Sequence, residues 1–388
     1  MPFSEMQASG QPAPDQIEVC VFGPNYGECV VVHLGNGNWV VVDSCLHEGQ
    51  PAAIAYLRAL GLDPARSIRA VIATHWHDDH YKGLSQITAD APAAHIWISS
   101  VLTDAEFLRF AMRTKKNKTS VAGHKLDEFL KIIDDICRRR SDGQLTFGYA
   151  NARTAIFRLD GSVSGHGHPC EIMALSPSHG DVSEFLERIV ANTPRARQTK
   201  RAVPSPSPNH ASVATLISIG PLGIVLGADV ENSGRPTAGW EAILGAHNLQ
   251  PFGPRASLHK ASHHGSENAH NRGVWDNLLT ANPLAVLTPW RRGARRLPTA
   301  DGARNILELS QDAFITALDA RSRSKRDGRP PGVQRFLREH RGIRLRSLAV
   351  PFGAVRLRTR DISSATWNRE LFGAACHLSQ VIRAQPVR

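Results

Sequence analysis

Short apolar runs bounded by glycine, proline or asparagine recur along this chain, and each reads as a strand. "IEVCVFGP" is the first. "ECVVVHLGNGNWVVVDSC" reads as two more, joined by the turn Gly35-Asn36-Gly37-Asn38. "SIRAVIAT" is apolar nearly throughout, the pattern of a strand covered on both faces. "AAHIWISS", "TAIFRLDG" and "CEIMALSP" follow, then "SVATLISI" and "GIVLGAD" as a hairpin around Gly220-Pro221-Leu222-Gly223. "PLAVLTPW" and "AVRLRTRD" complete the set, the latter closing the chain. Between them, "GQPAAIAYLRALGL" has helical apolar spacing and stops at Gly61. A helical insert spans about 104–140, broken by the basic tract "RTKKNKTS", and "SEFLERIVANT" and "GARNILELSQDAF" read as further helices. Strands mixed with helices on this scale predict a layered α/β or α+β fold.

Two stretches depart from these periods. "MPFSEMQASGQPAPDQ" has neither a basic start nor an apolar core, so residues 1–16 are expected to be a flexible polar leader rather than a secretory signal. "PRARQTKRAVPSPSPNH", about 194–209, is rich in Arg, Lys, Pro and Ser and reads as an exposed basic loop. Cleavage of that loop by an activating protease is one expectation, with a passive insertion as the alternative. No apolar run approaches the roughly 18 residues that span a bilayer. The six cysteines are scattered without a C-x-x-C pair, which fits reduced thiols and a cytoplasmic protein without membrane contact.

Charge adds a second theme. The net charge is +11, and residues 291–388 hold 21 Lys plus Arg against 8 Asp plus Glu, a balance of +13 that leaves about −2 for the rest. A basic C-terminal extension of this kind favours a polyanion, nucleic acid above all. Lys115, Lys116 and Lys118, with Arg291 and Arg292, are the cations expected to meet it. Solvated helix faces would give the same balance.

The chemistry is concentrated in "THWHDDH", directly after the apolar strand. His75 and His77, at i and i+2, can point into one site, and Asp79 and His80 follow as a second carboxylate–imidazole pair. Imidazole and carboxylate without cysteine suit a catalytic zinc, manganese or iron site. The adjacent Asp78 is expected to be solvated or to lie behind the ligands.

With "GNWVVVDSC" upstream and "GIVLGADVE" and "LHKASHHGSEN" downstream, this segment resembles the signature of the metallo-β-lactamase fold superfamily. The resemblance covers roughly 17–290, taken as one catalytic domain, and "GPNYGEC", "ALSPS" and the pair Asn209/Ser212 bring it closest to the ComEC-type competence proteins. It implies an αββα sandwich, two mixed sheets between helices; residues 291–388 match none of its motifs and are expected to pack on the same domain. It implies two divalent ions, Zn2+ or Mn2+, bridged by a hydroxide. His75 and His77 would bind the first ion, and Asp79, His80 and His264 the second. Asp229 would bridge them, and Asp43 would buttress the histidine loop. Either His210 completes the first ion's ligands or Asn209, with Ser212, shapes the site instead. His263 is then either a proton donor or a support behind the ligands, Asp79 a catalytic carboxylate, and Lys82 either a phosphate holder or a solvated lysine.

The resemblance also implies hydrolysis, and the basic tracts point to phosphodiesters, making a metal-dependent nuclease or phosphodiesterase the expected function. A hydrolase of a small ester, lactone or thioester is the alternative. A metal-holding binding or regulatory subunit is the second.

Overall fold

The computed structural model describes residues 2–103, 121–143, 147–192, 208–293, 295–318 and 350–384, with the isolated positions 332, 335, 336 and 339. Two eight-stranded sheets lie face to face. The first runs, in spatial order, Asn368–Gly373, Phe352–Thr359, Ile17–Pro24, Cys29–His33, Trp39–Val42, Ile68–Ala73, His95–Ser99 and Phe147–Ala150. The second runs Cys376–His377, Ala313–Ile315, Leu279–Leu287, Ala256–Lys260, Leu222–Leu226, Thr215–Ile219, Cys170–Ala174 and Ala155–Leu159. Both are mixed: the antiparallel part of each gives way to parallel pairs, between Trp39–Val42 and Ile68–Ala73 in the first and between Leu222–Leu226 and Ala256–Lys260 in the second.

The side-chain alternation of the strands builds three apolar layers. Val19, Val21, Val32, Val40 and Ile72 of the first sheet meet Ile172, Ile217, Ile224, Leu258 and Val286 of the second. The intervening residues Cys20, Phe22, Val31, Trp39, Val41 and Val71 face outward and are covered by Ile54, Tyr56, Leu57, Leu84 and Ile87 of two helices. On the far side, Leu216, Val225, Ala285 and Leu287 lie under Trp240, Ile243, Trp275 and Ile306. Helix, sheet, sheet, helix is the expected αββα sandwich, and double-sided cover is why the central strands are apolar at nearly every position.

The leader and the C-terminal region differ from the expectation. Pro2–Ala8 is a helix whose Met6 is fully buried, and Phe3 sits 6.0 Å from Phe22 and 5.8 Å from Phe352. Its polar composition hid two well-placed apolar side chains. The region 291–388 is not an extension laid on a finished domain. Phe352–Thr359 pairs residue for residue with Ile17–Pro24 inside the first sheet, and the chain continues beyond it through two further strands and the helix Ser379–Ala384. Its basic residues are partly structural. Arg358 Nε donates to Glu18 Oε2 at 2.6 Å, and Arg356 Nε donates to Glu370 Oε2 at 2.9 Å. Both arginines also hold the leader, through the carbonyls of Met6, Ser9 and Gly10.

Of the long helical insert, the described part is the helix Val121–Ser141; Lys115, Lys116 and Lys118 lie outside the described residues, as does the basic loop up to residue 207. The reading of one helix through "GARNILELSQDAF" is also corrected, because Ala300–Leu307 is helical whereas Ala313–Ile315 joins the second sheet. Among the described residues, no helix is long and apolar enough to cross a membrane.

Candidate metal centre

The histidine and aspartate motifs all leave the C-terminal ends of strands at one rim of the sandwich. Trp39–Val42 delivers Asp43, Ile68–Ala73 the histidine loop, Leu222–Leu226 Asp229, and Ala256–Lys260 the pair His263/His264. Tight backbone brings the last two together. Ala228, His263 and His264 all have positive φ, at 43°, 46° and 55°, and His263 N donates to Ala228 O at 2.8 Å. Non-glycine residues in this region are strained and persist only where their surroundings enforce them.

Asp229 lies at the centre. Its Oδ2 is 3.5 Å from His75 Nε2 and 4.0 Å from His77 Nδ1, whereas its Oδ1 is 3.3 Å from His80 Nε2 and 3.9 Å from His264 Nε2. Asp79 Oδ2 adds a contact of 3.2 Å to His264 Nε2. One carboxylate thus turns one oxygen to each of two histidine pairs. Ser212 fixes it, its hydroxyl accepting from Asp229 N at 2.9 Å.

The other ring nitrogens are held from behind. Asp43 Oδ2 accepts from His80 Nδ1 and from Thr74 Oγ1, both at 2.7 Å, and Asp43 Oδ1 accepts from Thr74 N at 2.8 Å. Thr74 Oγ1 in turn accepts from His75 Nδ1 at 2.9 Å. A second relay serves His264: its Nδ1 donates to Thr288 Oγ1 at 2.9 Å, and Thr288 donates to Glu28 Oε2 at 2.6 Å. Glu28 is itself buried against Lys260. Each relay fixes the tautomer that leaves Nε2 aimed inward.

The donor atoms fit a cation. His75 Nε2, His77 Nδ1, His80 Nε2, His264 Nε2 and both oxygens of Asp79 and Asp229 are buried without a hydrogen-bond partner. Orphaned polar atoms at this density are costly unless something charged binds them. His75, His80 and Asp229 offer ligand atoms within 4.8 Å of one another, and so do Glu28, His80 and His264. Burial, helped by the charge of His80, pushes the His75 imidazole down to about 4, so it is neutral and ready to ligate. Burial opposes ionisation of Asp79 and Asp229, yet the surrounding histidines hold both below the usual carboxylate range. Burial also opposes charge on His80, but Asp229 and Asp43 outweigh it and raise its pKa. Buried Glu28, Asp43, Asp79 and Asp229 therefore face one buried lysine, and a protonated His80 offsets only part of the remaining negative charge. Divalent cations meet it with neutral imidazoles.

Residues 22–135 match the family model described as the metallo-beta-lactamase superfamily. That superfamily consists mostly of metal-dependent hydrolases. The chain is similar to the metallo-beta-lactamase fold protein YhfI from Bacillus subtilis, at 13% identity over 77% of this chain and 95% of that one, TM-score 0.38. It is also similar to MEM-A1, a subclass B3 metallo-beta-lactamase from a soil metagenome library, at 11% identity over 66% and 80%, TM-score 0.32. A CmlA beta-hydroxylase mutant gives 17% identity over 78% and 45%, TM-score 0.35. No curated protein matches.

Around the ligand cluster, the remaining sequence candidates take separate places. His210 is not brought to it. The 3-10 turn Pro208–Ala211 points Asn209 at Glu231, 2.7 Å away, and sets His210 in a neighbouring recess beside Asp181 and Glu231. His263 pairs through Nδ1 with Glu231 Oε1 at 2.9 Å, and Asn209 Nδ2 lies 3.5 Å from its Nε2. Lys82 is exposed, its ammonium 5.1 Å from the centre of the Tyr26 ring. Arg291 and Arg292 form one arm of a hairpin with Arg295–Leu297 beside the site. Sequence reading missed Glu28, Thr74, Lys260, Thr288 and Glu231. Glu28 stands directly before the strand Cys29–His33 and Lys260 ends the strand Ala256–Lys260, positions that read as ordinary strand-end charges.

Proposed function

We propose that the protein is a dinuclear-metal hydrolase that cleaves phosphodiester bonds in nucleic acid, as a ComEC-like member of the superfamily. The division of the Asp229 carboxylate between two histidine pairs carries this reading, because it gives two ion positions a shared ligand. His75 and His77 would hold the first ion, Asp79, His80 and His264 the second, with Asp229 common to both and Zn2+ or Mn2+ suited to the donors. Two such ions supply an activated water near neutral pH and offset the charge that develops at phosphorus. Around them, Asp43 and Glu28 orient His80 and His264, the latter through Thr288. His263, paired with Glu231 through Nδ1, is the candidate proton donor to the leaving alkoxide. The arginine hairpin beside the site and Lys82 at its rim support a phosphate-bearing substrate.

The test is cleavage of plasmid and single-stranded nucleic acid by chelator-stripped protein resupplied with Mn2+, Zn2+ or Mg2+. Cleavage should depend on the metal and vanish in His75→Ala and Asp229→Ala proteins. Well-metallated protein that hydrolyses small esters, lactones or thioesters but no nucleic acid would refute the phosphodiester assignment.

A further inference from the structure

The arginine hairpin has a second face. Its strands, Trp290–Arg292 and Arg295–Leu297, rise directly from the metal-site wall, since Pro289 follows Thr288, the residue that holds His264. Pro298, at the other foot, lies against the Gly265 backbone, 3.2 Å from where a Cβ would stand. Tyr26 ties the hairpin to the histidine loop: it bridges to Trp290 through its backbone, its ring lies 6.0 Å from the indole, and its hydroxyl bonds to Asp78. Behind this wall is a recess with about 450 Å³ of open space. Trp290, Leu297, Pro298 and Leu318 make its apolar side, Arg291 and Arg296 its charged side, and none of its lining residues is a carboxylate. Arg292 and Arg295 carry the same charge to the exposed tip.

We propose that this recess takes one unpaired base of a nucleic-acid strand, with the flanking phosphates on Arg291 and Arg296. The substrate of the neighbouring metal centre is then single-stranded nucleic acid. The assignment rests on the phosphodiesterase reading and narrows it. A base is a flat body with apolar faces and a polar edge, attached to charge on both sides. An indole wall with aliphatic neighbours matches the faces, the Asn25 amide on the rim matches the edge, and the arginines match the charge. A paired base cannot reach it, because its faces are already stacked. An acidic peptide would use the arginines and leave the indole without a partner.

The experiment is fluorescence anisotropy on the metal-loaded protein, using slowly cleaved phosphorothioate probes. Three are compared: a labelled ten-residue oligothymidylate, the same backbone with abasic sites, and a duplex. The base-bearing strand should bind about 5- to 100-fold tighter than the abasic one. Trp290→Ala should erase that preference and Trp290→Phe keep most of it, which separates loss of stacking from loss of folding. Arg296→Ala should lower the slope of log affinity against log salt by about 0.7 while preserving the preference for bases. Equal binding of abasic and base-bearing strands, stronger binding of duplex, or a preference that survives Trp290→Ala would overturn the proposal. Displacement of the strand by polyglutamate without any base preference would do the same. Metal-dependent hydrolysis of bis(p-nitrophenyl) phosphate, run in parallel, keeps the two readings apart. Hydrolysis without base preference sinks the recess alone; base preference without hydrolysis sinks the enzyme reading.

Discussion

Asp43 spends its two oxygens on three donors, and two histidines depend on it: His80 directly and His75 through Thr74. Replacing such an outer carboxylate commonly weakens metal binding by about 10- to 100-fold. Asp43→Ala should therefore lose metal affinity in that range in a chelator competition, and an unchanged affinity would mean that packing alone orients the rings. Glu28 poses a different problem, because burial opposes its charge and Lys260, His80 and His264 restore it, holding its pKa below the ordinary value. Removing Lys260 strands that carboxylate, and breaking a buried pair costs about 3–5 kcal/mol. Lys260→Met should show this loss in urea unfolding, and adding Glu28→Gln should recover a large part of it; simple additivity would argue against the pairing. These residues also mark what the sequence displayed and what it hid. His75, His77, Asp79 and His80 were visible because one loop holds all four. Glu28 and Thr288 are 260 positions apart, and no local pattern announces that a buried carboxylate will find its hydroxyl across such a gap.

At the level of elements, the segments with clear alternation formed where their pattern placed them, and those that depend on a remote partner did not reveal themselves. The leader helix has too few residues to hold as a helix alone. It forms because Met6 and Phe3 cover the outward face of the first sheet and because Arg356 and Arg358 hold its carbonyls. Met6→Ala should cost about 2–5 kcal/mol in urea unfolding, whereas a loose leader would show no change. Similarly, "AVRLRTRD" was legible as a strand, but its arginines looked like surface charge. Their carboxylate partners, Glu18 and Glu370, belong to the two strands it pairs with, which a reading along the chain cannot supply.

Across the whole molecule, burial also sets the response to acid. His33 is neutral because both ring nitrogens are committed: Nδ1 donates to Gln16 O at 2.7 Å and Nε2 accepts from Gly37 N at 2.9 Å. Burial pushes its pKa down to about 4, and that of His259, inside the second sheet, to about 3. Both lie below the ordinary value near 6.5, so between pH 6.5 and 4 the unfolded chain takes up protons that the folded chain refuses. Stability should fall with pH across that window, by up to roughly 1.4 kcal/mol per unit per histidine. Urea midpoints from pH 7 to 4.5 should show the decline, and His33→Gln, which can keep both contacts, should flatten it; an unaltered slope would place the acid response elsewhere. The αββα architecture itself was legible because the motifs came in order at strand ends, and sheet membership after residue 290 was not, because those strands carry no site residue. One pairing bears on how the chain is made. Ile17–Pro24 is synthesised among the first strands, yet its partner on one side is Phe352–Thr359. During translation its edge stays open, with donors and acceptors unsatisfied, until residue 359 has left the ribosome. Nascent chains are thus exposed to strand-edge association while every strand in between is made, and a truncation before residue 352 leaves that edge open for good.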